Sequence, residues 1–222
     1  MTEPDFLRTA QTFYDTVATD YADHFRDVLA DRPLERALLA AFAELVRAAG
    51  GGPVADVGCG PGLVTGHLHG LGLNVFGIDL SPRMVALARQ AHPELRFEQG
   101  SMTALDLPDG TLDGLVAWYS IIHVPLDRLP EVFAEFHRVL APGGRLLLGF
   151  QIGDEPLHLE RPFGHPVALD FHRRQPDHIA ELLHQSGLTV FARQRRELDE
   201  TIGDTAPQGF LLARKPVADD RR

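Results

Sequence analysis

The sequence predicts an α/β fold in which helices cover both faces of a mainly parallel, doubly wound sheet. Three observations carry this. Short apolar runs alternate with helices of amphipathic spacing from residue 33 to residue 151. The run Val54–Val57 enters Gly58-Cys59-Gly60-Pro61-Gly62 directly, and Leu63, Val64 and Leu68 follow at helical spacing. That is a strand, a glycine-rich turn and a helix, the arrangement that brings bare backbone and free N–H groups up to a ligand. A second strand, Asn74 to Leu80, ends in Asp79, about 20 residues beyond the turn, where a carboxylate meets ribose hydroxyls.

The elements follow in order. Residues 5–31 read as one or two amphipathic helices, with Phe6, Phe13, Tyr14, Val17, Tyr21, Phe25 and Leu29 on the apolar faces. Residues 33–49 form a helix with Pro33 near its start, glycines past its end, and a stripe of Leu34, Leu38, Leu39, Phe42, Leu45 and Val46. Ser81 caps a helix over 83–91, and Met84 either packs on a ligand ring or fills core. Leu95 to Gln99 is a third strand ending at Gly100-Ser101-Met102, and Leu112 to Trp118 a fourth. A helix over 127–140 carries Val132, Phe133, Phe136 and Leu140 inward. Pro142-Gly143-Gly144 stops it, and Arg145 to Phe150 is a fifth strand. Residues 152–176 show no period and are too long for a routine connection, so they read as an insert over the acceptor pocket. A helix over 177–186 and strands over 188–195 and 209–214 complete the chain. The end, Asp219 to Arg222, is expected to lack order.

The acids narrow the ligand. A carboxylate at position 56, just before the turn, repels a pyrophosphate and suits a ligand carrying an ammonium group. Ligands of doubly wound sheets bind beyond the carboxyl ends of the strands. Trp118 and Tyr119 are therefore a wall of the site or core, Gln151 faces the acceptor, and His123 is the candidate general base, with a structural histidine as the alternative. Phe25, Phe163 and Phe171 suggest a partly apolar acceptor. Cys59 is small packing inside the turn. The histidines of the insert match no compact metal motif, so no metal is expected.

Composition limits the alternatives. The 222 residues suit one domain. A net charge of -10 argues against an extended nucleic-acid surface. The single cysteine suits a reducing, cytoplasmic setting, and no apolar run approaches the roughly 18 residues of a membrane span. A monomer or homodimer is expected.

The pieces Val54 to Gly62, Gly77 to Met84, Phe97 to Leu107, Leu112 to His123 and Leu140 to Leu147, in this order, resemble the class I S-adenosylmethionine-dependent methyltransferases. The likeness covers roughly residues 50–150. It implies a seven-stranded Rossmann-like sheet in the order 3-2-1-4-5-7-6, its last strand pair antiparallel, in one domain spanning 1–222. It also implies a helical cap over 1–31 from which Tyr21 closes on the cofactor, with 152–176 as the lid. The implied cofactor is S-adenosyl-L-methionine, leaving as S-adenosyl-L-homocysteine. Asp56, Gly58, Cys59, Gly60 and Gly62 would hold its methionine end, Asp79 the ribose, and Leu80, Met84, Gly100, Ser101 and Met102 the adenine, with Trp118 beside them. Ser101 departs from the Asp that many members carry there. Tyr119, His123, Gln151 and Phe163 would meet a small-molecule acceptor, methylated on O, N or C. The alternatives are a non-catalytic S-adenosylmethionine-binding regulator, a methyltransferase of proteins or nucleic acids, and an NAD-dependent oxidoreductase, the last disfavoured by Asp56.

Overall fold

The computed structural model describes residues 5–217; the expectation for Asp219 to Arg222 lies outside them. The chain opens with α1 (Asp5–Phe25) and α2 (Pro33–Ala49), then alternates β1 (Val54–Val57), α3 (Leu63–Gly70), β2 (Val75–Asp79), α4 (Pro82–Ala91), β3 (Phe97–Gln99), β4 (Leu112–Trp118), α5 (Leu129–Val139) and β5 (Leu140–Gln151). A small hairpin, β6 (Leu157–Glu160) with β7 (Ala168–Phe171), precedes α6 (Pro176–Gln185), β8 (Thr189–Arg196) and β9 (Gln208–Arg214).

The seven-stranded sheet runs β3-β2-β1-β4-β5-β9-β8, parallel up to β5 and antiparallel beyond it. This is the expected order, since β8 and β9 are the sixth and seventh strands of the main sheet. Strand alternation divides the core. Ala55, Val57, Leu115, Ala117, Leu146 and Leu148 pack with α5 and α6. Val54, Val116 and Leu147 pack with α2 and α3 on the opposite face.

For residues 5–31 the first of the two expected alternatives is found, one helix followed by a turn. Three expectations are corrected. Residues 152–176 are not irregular throughout, because Leu157–Glu160 and Ala168–Phe171 pair as a two-stranded sheet with alternating exposure. β5 begins at Leu140, because Gly143 N–H and Gly144 C=O bond to Lys215 rather than ending the pairing. The buried stripe of α2 is rotated: Leu34 is half exposed and Glu35 is buried, beside Leu39, Phe42, Ala43 and Val46. Glu35 is drawn inward by Arg196, whose Nε donates to its Oε1 at 2.9 Å across a separation that periodicity does not see.

Candidate functional site

The glycine turn is built by the strands beside it. Gly58 N–H and Cys59 N–H both donate to Ile78 C=O, at 2.7 and 3.1 Å, so the turn is tied to the end of β2. Gly60 N–H donates to Asp79 Oδ2 at 2.7 Å, and Ser81 N–H to Asp79 Oδ1 at 2.9 Å. Gly60 has φ +53°, and a Cβ added there would meet no atom within 4 Å. It therefore borders open space, and that space is a cavity of about 470 Å³, within the range of small-ligand pockets.

Two acids line this cavity. Asp56 Oδ2 accepts from the Thr65 hydroxyl at 2.7 Å, and its Oδ1 is buried with no hydrogen-bond partner. Burial pushes the Asp56 carboxyl up to about 7, against the Thr65 bond and with help from the charge of Asp79. Burial likewise pushes Asp79 up to about 6, although the Ser81 and Gly60 N–H groups favour its charged form. An unpaired buried carboxylate oxygen calls for a cation or donor from the ligand.

The roof comes from α1 and the β6–β7 hairpin. Asp15 of α1 accepts from Ser81 Oγ at 2.6 Å, joining the helix to the N-cap of α4. Leu169 of the hairpin is buried among Ala10, Phe13 and Val17, and His165 Nε2 lies 2.8 Å from Asp20 Oδ2. From this roof the Tyr14 hydroxyl reaches His123 Nε2 at 2.7 Å. Burial drives His123 down to about 3, so its imidazole is neutral. Burial raises Tyr14 well above the usual phenol range and Tyr21 to about 12.

Of the site residues named from sequence, all but Gly62 and Phe163 line this one cavity. Gly62 instead starts α3 at φ +86°, packed toward Phe97, Ala88 and His92. Phe163 is 46% exposed and rests against His24 of α1. Met84 is both core and lining. Ser101 Oγ is engaged with Thr103 Oγ1 at 2.8 Å. Trp118 stacks on Phe210, and Tyr119, at φ +53°, carries a strained backbone at the carboxyl end of β4. Burial raises the Cys59 thiol, which suits packing rather than nucleophilic attack. Among the described residues no cluster of three or more His, Cys, Asp or Glu side chains could hold a metal.

Sequence reasoning missed Arg32, Glu35, Asp204 and Gln208, which also line the cavity, the first three with charges that act on Tyr119. The partners of Arg32 and Glu35 lie far along the chain. Arg32 Nη1 donates to Asp204 Oδ1 at 3.1 Å, and Arg196 bridges Glu35 and Asp204. No local pattern signals such a network.

The two acids make a testable pH effect. In the unfolded chain both titrate near the ordinary value of about 3.9, and in the fold they keep their protons to higher pH. The folded state therefore binds more protons between about pH 4 and 7, and these sites make stability fall as pH rises through that window. Asp56→Asn should gain stability over the parent chain progressively from pH 5 to 8 in urea unfolding. A constant difference across that range contradicts the assignment.

Comparison with known proteins agrees with this architecture. Residues 54–144 match the family model described as "Methyltransferase domain". The chain is 33% identical over 114 residues to a malonyl-[acyl-carrier protein] O-methyltransferase of Pectobacterium atrosepticum, a match covering 46% of this chain and 44% of that one. It is 34% identical over 140 residues to a demethylmenaquinone methyltransferase of Beutenbergia cavernae, covering 61% and 55%. The chain thus spans about half the length of the curated relatives it matches. The crystal structure of magnesium protoporphyrin IX methyltransferase from Synechocystis PCC 6803 has the same fold, with a TM-score of 0.70 at 18% identity over 97% of this chain and 99% of that one. No helix among the described residues is long and apolar enough to cross a membrane. With the sheet order and the acid-bearing glycine turn in place, residues 54–144 match a methyltransferase domain, and the chain has the fold of solved S-adenosylmethionine-dependent methyltransferases.

Proposed function

We propose that this protein transfers a methyl group from S-adenosylmethionine to a small molecule enclosed beneath α1 and the β6–β7 hairpin. The observation that carries the reading is the pair of buried carboxylates, Asp56 and Asp79, on either side of the glycine turn in one cavity, with Asp56 Oδ1 unpaired. That acceptor pair fits a ligand with an ammonium at one end and hydroxyls nearby, and it repels a diphosphate.

Asp56 would hold the amino group, with the backbone from Gly58 to Gly60 against the methionine end. Asp79 would hold the ribose. Leu80, Met84, Gly100, Ser101 and Met102 would face the adenine, with Tyr21 and Trp118 against the cofactor. The bound cofactor supplies a methyl group on a positively charged sulfur, already activated toward in-line displacement. The protein's part is alignment and exclusion of water, and the roof from α1 and the hairpin supplies both. Tyr119, Gln151 and His123 would meet the acceptor. A hydroxyl or amine acceptor must lose a proton, and His123 Nε2, directly or through the Tyr14 hydroxyl, is the group to take it. Malonyl-[acyl-carrier protein], demethylmenaquinone and porphyrin relatives favour acceptors other than proteins at large or nucleic acids.

His123→Ala should lower turnover about hundredfold with affinity for S-adenosylhomocysteine unchanged. Because His123 is neutral down to about pH 3, the acid limb of the parent enzyme should follow the carboxylates near pH 6 to 7 rather than an imidazole. An acid limb that vanishes in His123→Ala contradicts this. The function itself is tested by incubating the protein with methyl-labelled S-adenosylmethionine and a small-molecule extract. Label should enter a small product, and its absence with the cofactor demonstrably bound would favour the regulator instead.

A further inference from the structure

We infer that the cavity contains a recognition site for an uncharged acceptor molecule that presents paired N–H or O–H donors, such as a primary amide or an amino-heterocycle, and that Gln208 together with Gln151 forms it. This rests on the small-molecule reading above and specifies the acceptor's chemistry. Gln151 ends β5 and Gln208 begins β9, and the two are register partners in the antiparallel pair. Directly opposed residues of such a pair lie on one face, their side chains side by side. Both line the cavity.

Each amide leaves its carbonyl oxygen unsatisfied. Gln208 is 3% exposed, and its Nε2 donates to Ala206 C=O at 2.7 Å, which fixes the orientation of the amide. Its Oε1 is buried and has no hydrogen-bond partner, and the same holds for Gln151 Oε1. Two buried carbonyl oxygens, neighbours and acceptors only, form an uncompensated polar pair that a donor-bearing ligand relieves. A site that hydrogen-bonds its ligand rejects analogues lacking the donors.

The nearby charges sharpen the class. Arg32, Glu35 and Asp204 line the same cavity, but each is committed. Arg32 bonds Asp204, and Arg196 bonds both Glu35 and Asp204. Two cations answer two anions, so among the described residues this cluster offers no spare positive charge to a carboxylate or phosphate, which would also face the two carbonyl oxygens. Phe25, Leu157 and Phe171 supply apolar lining for the body of the molecule.

The test uses the full chain with saturating S-adenosylhomocysteine and three probes of one shape: benzamide, acetophenone and benzoate, titrated by ligand-observed NMR. Benzamide should bind about tenfold or more tighter than either of the others, the scale of one buried hydrogen bond. Gln208→Met and Gln151→Met should each reduce that preference severalfold while S-adenosylhomocysteine affinity stays unchanged. Equal affinities, failure of benzamide to bind, or a preference intact in both variants overturns the proposal. Should Gln208→Met not fold, the parent chain and Gln151→Met decide. Should S-adenosylhomocysteine not bind, the methyl-transfer reading falls by itself, and the same three titrations without it still decide the subsite.

Discussion

Asp79→Ala should weaken S-adenosylhomocysteine binding by at least about 10²-fold, the equivalent of two hydrogen bonds to a charged group. The side chain does two jobs. It is the carboxylate proposed for the ribose, and its two oxygens accept from Gly60 N–H and Ser81 N–H, so it also fastens the glycine turn to the start of α4. Removing it strips the ligand of an acceptor and leaves two backbone donors unpaired. Asp79→Asn separates the effects, because an amide keeps one acceptor oxygen without the charge. It should retain a folded turn and fall between parent and Ala in affinity. Calorimetry with thermal unfolding on all three proteins reads both quantities. An Ala variant that binds at parental affinity removes the ribose assignment.

Gly58→Ala should destabilise the fold by about 3 kcal/mol or more. Gly58 has φ +76°, and a Cβ there would lie 2.2 Å from Ser120 Cβ. The left-handed conformation alone costs about 1–2 kcal/mol for a residue with a Cβ, and forcing atoms into a closed core about 1–3 more. Ser120 has little room to retreat, because it is buried and its Oγ donates to Val57 C=O at 2.7 Å. For a chain of this size the loss corresponds to a drop of roughly 6–12 °C in Tm. Adding Ser120→Gly should recover the steric part and leave the conformational part. A single variant as stable as the parent would mean that β1 and β4 are not held together here as described.

The glycine turn and both acids are legible in the sequence because their chemistry is local. Glycines at fixed spacing and an acid at each strand tip need no knowledge of distant partners, and the β-α alternation sets the sheet between them. The roof was legible as a helical cap and an aperiodic insert over the pocket, but not in the contacts that build it. The pairing of Tyr14 with His123 crosses 109 positions, and the hairpin is held by Leu169 seated on α1. Glu35 shows the limit most clearly: helical periodicity placed Leu34 in the core, and an arginine from β8 reversed the choice. Gln208 carried no signal either, since its meaning comes from facing Gln151 across the β5–β9 ladder. Phe163 read as an acceptor residue from its apolarity alone, and its side chain is nearly half exposed and outside the cavity lining.

The most direct test of the account is a crystal structure of the protein grown with S-adenosylhomocysteine. The ribose hydroxyls should lie within hydrogen-bond distance of Asp79, and the amino group should lie beside Asp56, against the backbone of Gly58 to Gly60. A ligand seated away from that turn, or one whose ribose makes no contact with Asp79, would contradict the account.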